Sequence, residues 1–280
     1  MATYSFQQVD VFSATALKGN PVAVVLGADG LSDAQMAAFA NWTNLSETTF
    51  LLKPTVPGAD YRLRIFTPRR ELPFAGHPTL GSCHAWLAAG GVPAGAEVVQ
   101  ECGVGLVRVR RDGGRLSFLA PPLRRSGPLE ADVQAGIARG LGIAPEAIVA
   151  GQWVDNGPGW AAVLLRSRAE VLALRPEPAA MPGVPLGVVA PWDPAKDGTD
   201  AQFEVRAFVS GLGIAEDPVT GSLNAGLAQW LIGAGLAPAA YVASQGTALG
   251  REGRVFVQQA GDEIWVGGDA VTCISGHVTL

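Results

Sequence analysis

Two stretches of the chain are apolar or small on every helical face. Residues 78–89 carry Leu80, Cys83, Ala85, Trp86 and Leu87. Residues 223–231 carry a stripe of Leu223, Leu227, Trp230 and Leu231, with Ala225, Gly226 and Ala228 on the other faces. A helix without a polar side is enclosed rather than laid on a surface, so each stretch predicts a central helix wrapped by sheet. The wider window 223–243 is apolar enough to suggest a membrane span. Gly233, Gly235 and Pro238 interrupt it, and it reads as a buried helix followed by a turn.

Around these helices the pattern changes to short alternating or apolar runs. In the first half these predict strands at 7–12, 21–26, 48–52, 61–66, 98–102, 105–110 and 115–118. In the second half strands are predicted at 152–155, 160–165, 184–190, 203–209, 240–245, 254–259, 263–267 and 271–278. Three further helices fit residues 32–43, where Ser32 is an N-cap, 131–141, and 168–174. Residues 120–128, Ala-Pro-Pro-Leu-Arg-Arg-Ser-Gly-Pro, read as a linker between domains, and 191–200 as a polar loop.

The chain repeats itself. A strand, a proline-bounded loop and a Gly76-His77 turn lead into the first enclosed helix, where Pro78 suits the first turn. With a shift of 145 (221 minus 76), Gly76 falls on Gly221, Gly81 on Gly226 and Gly90 on Gly235. The upstream strand recurs as well, Arg64-Ile-Phe66 against Arg206-Ala-Phe208, with three extra residues in the second loop. Residues 156–159, Asn-Gly-Pro-Gly, loosely echo Gly19-Asn-Pro21. A duplicated unit implies two similar halves, each presenting a glycine turn whose helix N-terminal N–H groups suit an anion.

Composition narrows the functions open to such a fold. The chain has 280 residues, enough for two domains, and only 16% are charged. A net charge of −5 with no Lys or Arg run argues against nucleic acid and against anionic membranes. The N-terminus lacks the basic and apolar regions of a secretory signal. The three cysteines, Cys83, Cys102 and Cys273, fit no paired spacing, so a cytoplasmic location is expected.

Candidate chemistry gathers at the two glycine turns. Glu47, Glu71 and Asp217 are the carboxylates placed to take a proton from a bound substrate and return it elsewhere. Each has a plainer alternative. Glu47 fits a solvated loop, Glu71 a structural role, and Asp217 a carboxylate favoured by the helix dipole. His77 suits a hydrogen bond to an anion or acid/base work, and equally a simple cap. Arg62, Arg64, Arg69 and Arg70 near the first turn favour an anionic ligand. Histidines at 77, 84 and 277 are too scattered for a zinc site. No nucleophile elbow, dinucleotide fingerprint or P-loop is present, and no cofactor or metal is expected.

Three segments taken together resemble one family: Asn44-Leu-Ser-Glu-Thr-Thr-Phe50, Glu71-Leu-Pro-Phe-Ala-Gly-His-Pro-Thr-Leu-Gly81 and Glu216-Asp-Pro-Val-Thr-Gly-Ser222. They resemble the phenazine-biosynthesis PhzF family of isomerases, which share the diaminopimelate-epimerase fold. The resemblance implies a mixed α/β chain of two pseudo-symmetric domains, each a curled mixed sheet around a central helix, with the substrate in the cleft. The expected boundaries are 1–120 plus 268–280, and 121–267, with the C-terminal strand returning to the first domain. It further implies that Glu47 is the general acid/base, aided by His77 and Asp217. Gly76, His77, Gly221 and Ser222 would hold a small, possibly cyclic, carboxylate. A homodimer is usual in the family, and no cofactor is used.

The wider superfamily places a cysteine beside each glycine turn, where this chain has Ala75 and Thr220. A two-thiol inversion is therefore excluded, and a proton shift on a single carboxylate remains. The competing readings are a two-carboxylate racemase or epimerase using Glu47 and Asp217, and a non-catalytic small-molecule binding protein on the same scaffold.

Overall fold

The chain forms two units with the same strand order, each folded about one of the enclosed helices. The computed structural model describes residues 2–177, 180, 183–209 and 215–280. The first unit is Met1–Leu119 together with Gly267–Leu280, and the second is Ala120–Val266.

In the first unit the elements run β1 (Thr3–Val11), β2 (Asn20–Leu26), α1 (Asp33–Thr43), β3 (Thr48–Leu52) and β4 (Tyr61–Phe66). They continue through β5 (Glu71–Leu72), α2 (Gly76–Ala88), β6 (Val98–Cys102), β7 (Gly105–Asp112) and β8 (Arg115–Leu119). The second unit follows with β9 (Arg125–Pro128), α3 (Ala131–Leu141), β10 (Ala150–Asp155), β11 (Ala161–Leu164), α4 (Arg168–Ala173) and β12 (Leu186–Pro191). It continues through α5 (Pro194–Asp197), β13 (Phe203–Phe208), β14 (Glu216–Asp217), α6 (Gly221–Gly233), β15 (Ala240–Gln245) and β16 (Gly253–Ala260). β17 (Glu263–Gly268) spans the boundary, and β18 (Ala270–Thr279) belongs to the first unit.

The first sheet has the order β18–β1–β2–β3–β4–β6–β7–β8. Its pairs are antiparallel except β2 with β3 and β4 with β6. The second has the order β9–β10–β11–β12–β13–β15–β16, antiparallel except β11 with β12 and β13 with β15. The six pairings of the second sheet repeat the first six of the first sheet in the same parallel and antiparallel sequence. The C-terminal strand pairs with the N-terminal one from Thr3 opposite Thr279 to Val11 opposite Ala270, with a bulge between Gln8 and Val9.

α2 touches β1, β2, β3, β4, β8 and β18, so its sheet curls around it. α6 packs on β10 and β16. Close approach explains two of the repeated glycines. A Cβ on Gly81 would sit 2.4 Å from a Val22 methyl, and one on Gly226 would sit 2.3 Å from the Val154 carbonyl oxygen. Only a residue without a Cβ lets these helices press so closely on their strands.

The short helices begin where the caps predict. Ser32 closes a capping box on α1: its Oγ accepts from the Gln35 N–H (3.3 Å), and the Gln35 Oε1 accepts from the Ser32 N–H (3.0 Å). Asn44 ends α1 in the left-handed region at φ 53°, its N–H bonded to the Ala40 carbonyl. α1 covers a cluster of Val25, Met36, Phe39, Phe50 and Phe66, while α3 and α4 cover Trp153, Val163, Val188 and Phe208.

Two predictions are corrected. Residues 120–128 are not all linker, because β9 pairs with β10. The Arg125 guanidinium lies 3.4 Å from the Trp153 ring centre, and its Nη2 donates to Glu130, which also accepts the Trp153 indole N–H. The polar loop 191–200 contains the one-turn helix α5, capped by Asp193. Most of the longer second loop, 210–214, lies outside the described residues. No helix among the described residues is long and apolar enough to cross a membrane.

Candidate active site

The loop before each glycine turn is held by the same ion pair. In the first unit Arg64 grips Glu71 with two parallel hydrogen bonds of 2.8 and 2.7 Å. In the second, Arg206 grips Glu216 at 2.9 and 2.7 Å. Each arginine also lies over a phenylalanine of its own strand, Phe66 or Phe208. Behind the turns, Gln100 Nε2 donates to Thr79 Oγ1 (3.1 Å), and Asn224 Nδ2 donates to Gln245 Oε1 (2.8 Å). These pairs keep the offset of 145 while their residue types change.

At the first turn α2 begins at Gly76 without any side-chain cap. His77 is buried at the start of this helix. Its Nε2 lies 3.3 Å from Glu47 Oε2, and the two side chains are 5% and 15% exposed. Glu47 stands at the entry to β3, delivered there by the Asn44 turn. The other ring nitrogen of His77, Nδ1, is 3.3 Å from the Asn20 amide nitrogen. Burial pushes the His77 pKa down to about 3, against the opposing pull of the Pro21 carbonyl.

Asn20 is placed by a pinned loop. The buried Asp10 carboxylate accepts the N–H groups of Lys18 and Gly19, both at 2.8 Å. Gly19 itself leaves no room for a Cβ, which would lie 2.1 Å from the Val11 carbonyl oxygen.

At the second turn Asp217 ends β14, and its Oδ2 accepts the Thr220 hydroxyl at 2.5 Å. Gln245 ties the same turn, donating to the Asp217 carbonyl (3.1 Å) and accepting the Thr220 N–H (3.0 Å). Ser222, in the first turn of α6, accepts the Trp160 indole N–H on Oγ at 3.0 Å. Its backbone carbonyl accepts the Asn156 amide at 2.8 Å. The loop that carries Asn156 and Trp160 is pinned by Asp155, which accepts the N–H groups of Gly157 and Gly159.

The structure therefore gathers Glu47, Gly76 and His77 within the first unit, and Asp217, Gly221 and Ser222 within the second. Glu71 takes its structural alternative. Arg64, its partner, is bound on its other side by Asp33, and Arg62 lies 3.8 Å from Glu101. The arginines expected to favour an anion are thus partly committed to acidic side chains, with Arg69 and Arg70 exposed. His84 lies 3.0 Å from the Thr272 hydroxyl on β18, away from the turn. Cys83 is a packed thiol whose pKa burial pushes up to about 12. Among the described residues no three His, Cys, Asp or Glu side chains gather as a metal-holding group. Asn20, Asn156 and Trp160 carry little signal of their own in sequence. The echo between Gly19-Asn-Pro21 and residues 156–159 is its one trace.

This architecture has close parallels of known structure. A PhzF-family phenazine biosynthesis protein from Enterococcus faecalis matches over 100% of both chains, with a TM-score of 0.83 and 26% identity. Curated relatives match at similar length. Antisense-enhancing sequence 1 of Schizosaccharomyces pombe is 38% identical over 297 residues, covering 99% of each chain. The trans-2,3-dihydro-3-hydroxyanthranilate isomerase of Pseudomonas chlororaphis is 32% identical over 286 residues, covering 97% of this chain and 98% of its own. Fold and relatives together define an isomerase. The model of the PhzC-PhzF family, described as phenazine biosynthesis-like protein, matches residues 9–276, and the chain belongs to that family.

Proposed function

We propose that this isomerase moves a proton on a small carboxylate by general acid/base catalysis with Glu47, without a cofactor. The observation that carries the reading is the Glu47–His77 pair at the uncapped start of α2. Burial holds the His77 pKa far below its usual value, at about 3. The imidazole is thus a neutral hydrogen-bonding group, and Glu47 is the member of the pair left to carry the proton. A side chain that is largely buried yet still reachable suits that task. Gly76 and His77, at the positive end of the helix, are suited to the substrate's carboxylate.

In the second unit Gly221 and Ser222 are assigned to substrate holding. Asp217 is assigned to positioning rather than proton transfer, because Thr220 already donates to its Oδ2. A cytoplasmic homodimer is part of the same proposal. Three free cysteines suit a reducing compartment, and light scattering on the purified chain reads the oligomeric state.

The test is incubation of cyclic and α-amino carboxylates with the protein in D₂O. Deuterium appearing at a new carbon, with a shifted double bond, supports the proposal. Exchange confined to an existing stereocentre would replace it by epimerisation.

A further inference from the structure

At the second turn, the indole of Trp160 is almost wholly buried, 3% exposed, and donates its one N–H to Ser222 Oγ. An indole nitrogen only donates, so Ser222 accepts here without ambiguity. The hydroxyl retains one hydrogen, and that O–H donates to no described protein group. Ser222 is half-buried at the first turn of the 13-residue α6, on the side where N–H groups favour an anion. Asn156 holds the Ser222 carbonyl at the same time, so both the backbone and the oxygen of this residue are fixed from β10–β11.

We propose that Trp160 is a positioning residue: by occupying one lone pair of Ser222 Oγ it turns the Ser222 O–H outward as a donor to the substrate. The inference rests on the reading that Gly221 and Ser222 hold the substrate. The indole need not touch the substrate. Without its N–H the hydroxyl loses this fixed partner and is free to rotate. The oriented donor is used equally in the bound and reacting states, so its loss falls on KM rather than kcat.

The plainer alternative is that Ser222 merely satisfies a buried indole. A double-mutant cycle separates the two. Trp160→Phe keeps an aromatic ring but removes the N–H donor together with the pyrrole half of the buried indole, Ser222→Ala removes the hydroxyl, and the third variant combines them. KM and kcat are measured with the turnover substrate, Kd for anthranilate by calorimetry, and stability by urea unfolding. Positioning predicts KM and Kd raised about tenfold in Ser222→Ala. Trp160→Phe then shows a smaller rise in the same two constants with kcat kept, and the double variant matches Ser222→Ala alone. Additive effects, or Trp160→Phe that loses stability and leaves both constants untouched, would overturn the proposal. So would a wild type that fails to bind anthranilate. The calorimetric cycle stands without turnover, so failure of the Glu47 mechanism is read separately from failure of this one.

Discussion

His77 carries a stability signature that follows from its burial. The folded protein binds a proton there only below about pH 3, whereas an unfolded histidine does so below about 6.5. Between those values unfolding takes up a proton, so the His77 contribution is intact above pH 6.5 and is lost progressively as pH falls toward 3. The slope is about 1.4 kcal/mol per pH unit in that window. His77→Gln should lower overall stability but flatten the dependence by about one proton between pH 6 and 4, measured by urea unfolding. An unchanged slope would contradict the burial of a neutral imidazole. At this scale sequence and structure agree unevenly. Glu47, read locally, fits a solvated loop carboxylate, because what gives it significance is a histidine on another element. Asn20 and Trp160 were hidden for the same reason: each acts through a contact far along the chain.

At the scale of elements, legibility follows the caps. α1 and α3 are bounded as the sequence predicts, because a capping serine or a left-handed Asn44 or Gly142 marks an end. β5 and β14 have two residues each, too few for any period, and β9 is built of Arg, Ser, Gly and Pro. Those strands are defined by their partners rather than by their own side chains. The repeated glycines have a sharper meaning. In an ordinary exposed helix, replacing glycine by alanine stabilises by roughly 0.5–1 kcal/mol. At Gly226 the new methyl would meet the Val154 carbonyl, a backbone atom with little room to yield. Gly226→Ala is therefore expected to destabilise by about 1–3 kcal/mol in denaturant unfolding. A stabilised variant would show that α6 sits farther from β10 than described.

At the scale of the whole molecule, each unit carries the same polar design on the same strand order, and burial makes the two copies unequal. The arginine–glutamate clamp of the first unit has side-chain exposures of 15% and 42%, that of the second 7% and 8%. Losing one partner of an exposed pair costs about 1 kcal/mol or less, and of a buried pair about 3–5. Glu216→Gln should thus lower stability far more than Glu71→Gln, and equal losses would contradict the comparison. The duplication was visible in sequence through its glycines, which close packing holds fixed. The hydrogen bonds behind them were not, since Thr79 and Asn224, or His77 and Ser222, occupy matching places with different chemistry. The central claim concerns Glu47, and solvent-deuterium exchange in Glu47→Gln against wild type tests it most directly. With a substrate the wild type labels, the account predicts exchange reduced about 10²- to 10⁴-fold, with the fold and ligand affinity kept. Exchange persisting at the wild-type rate would move the proton to another group and contradict the account.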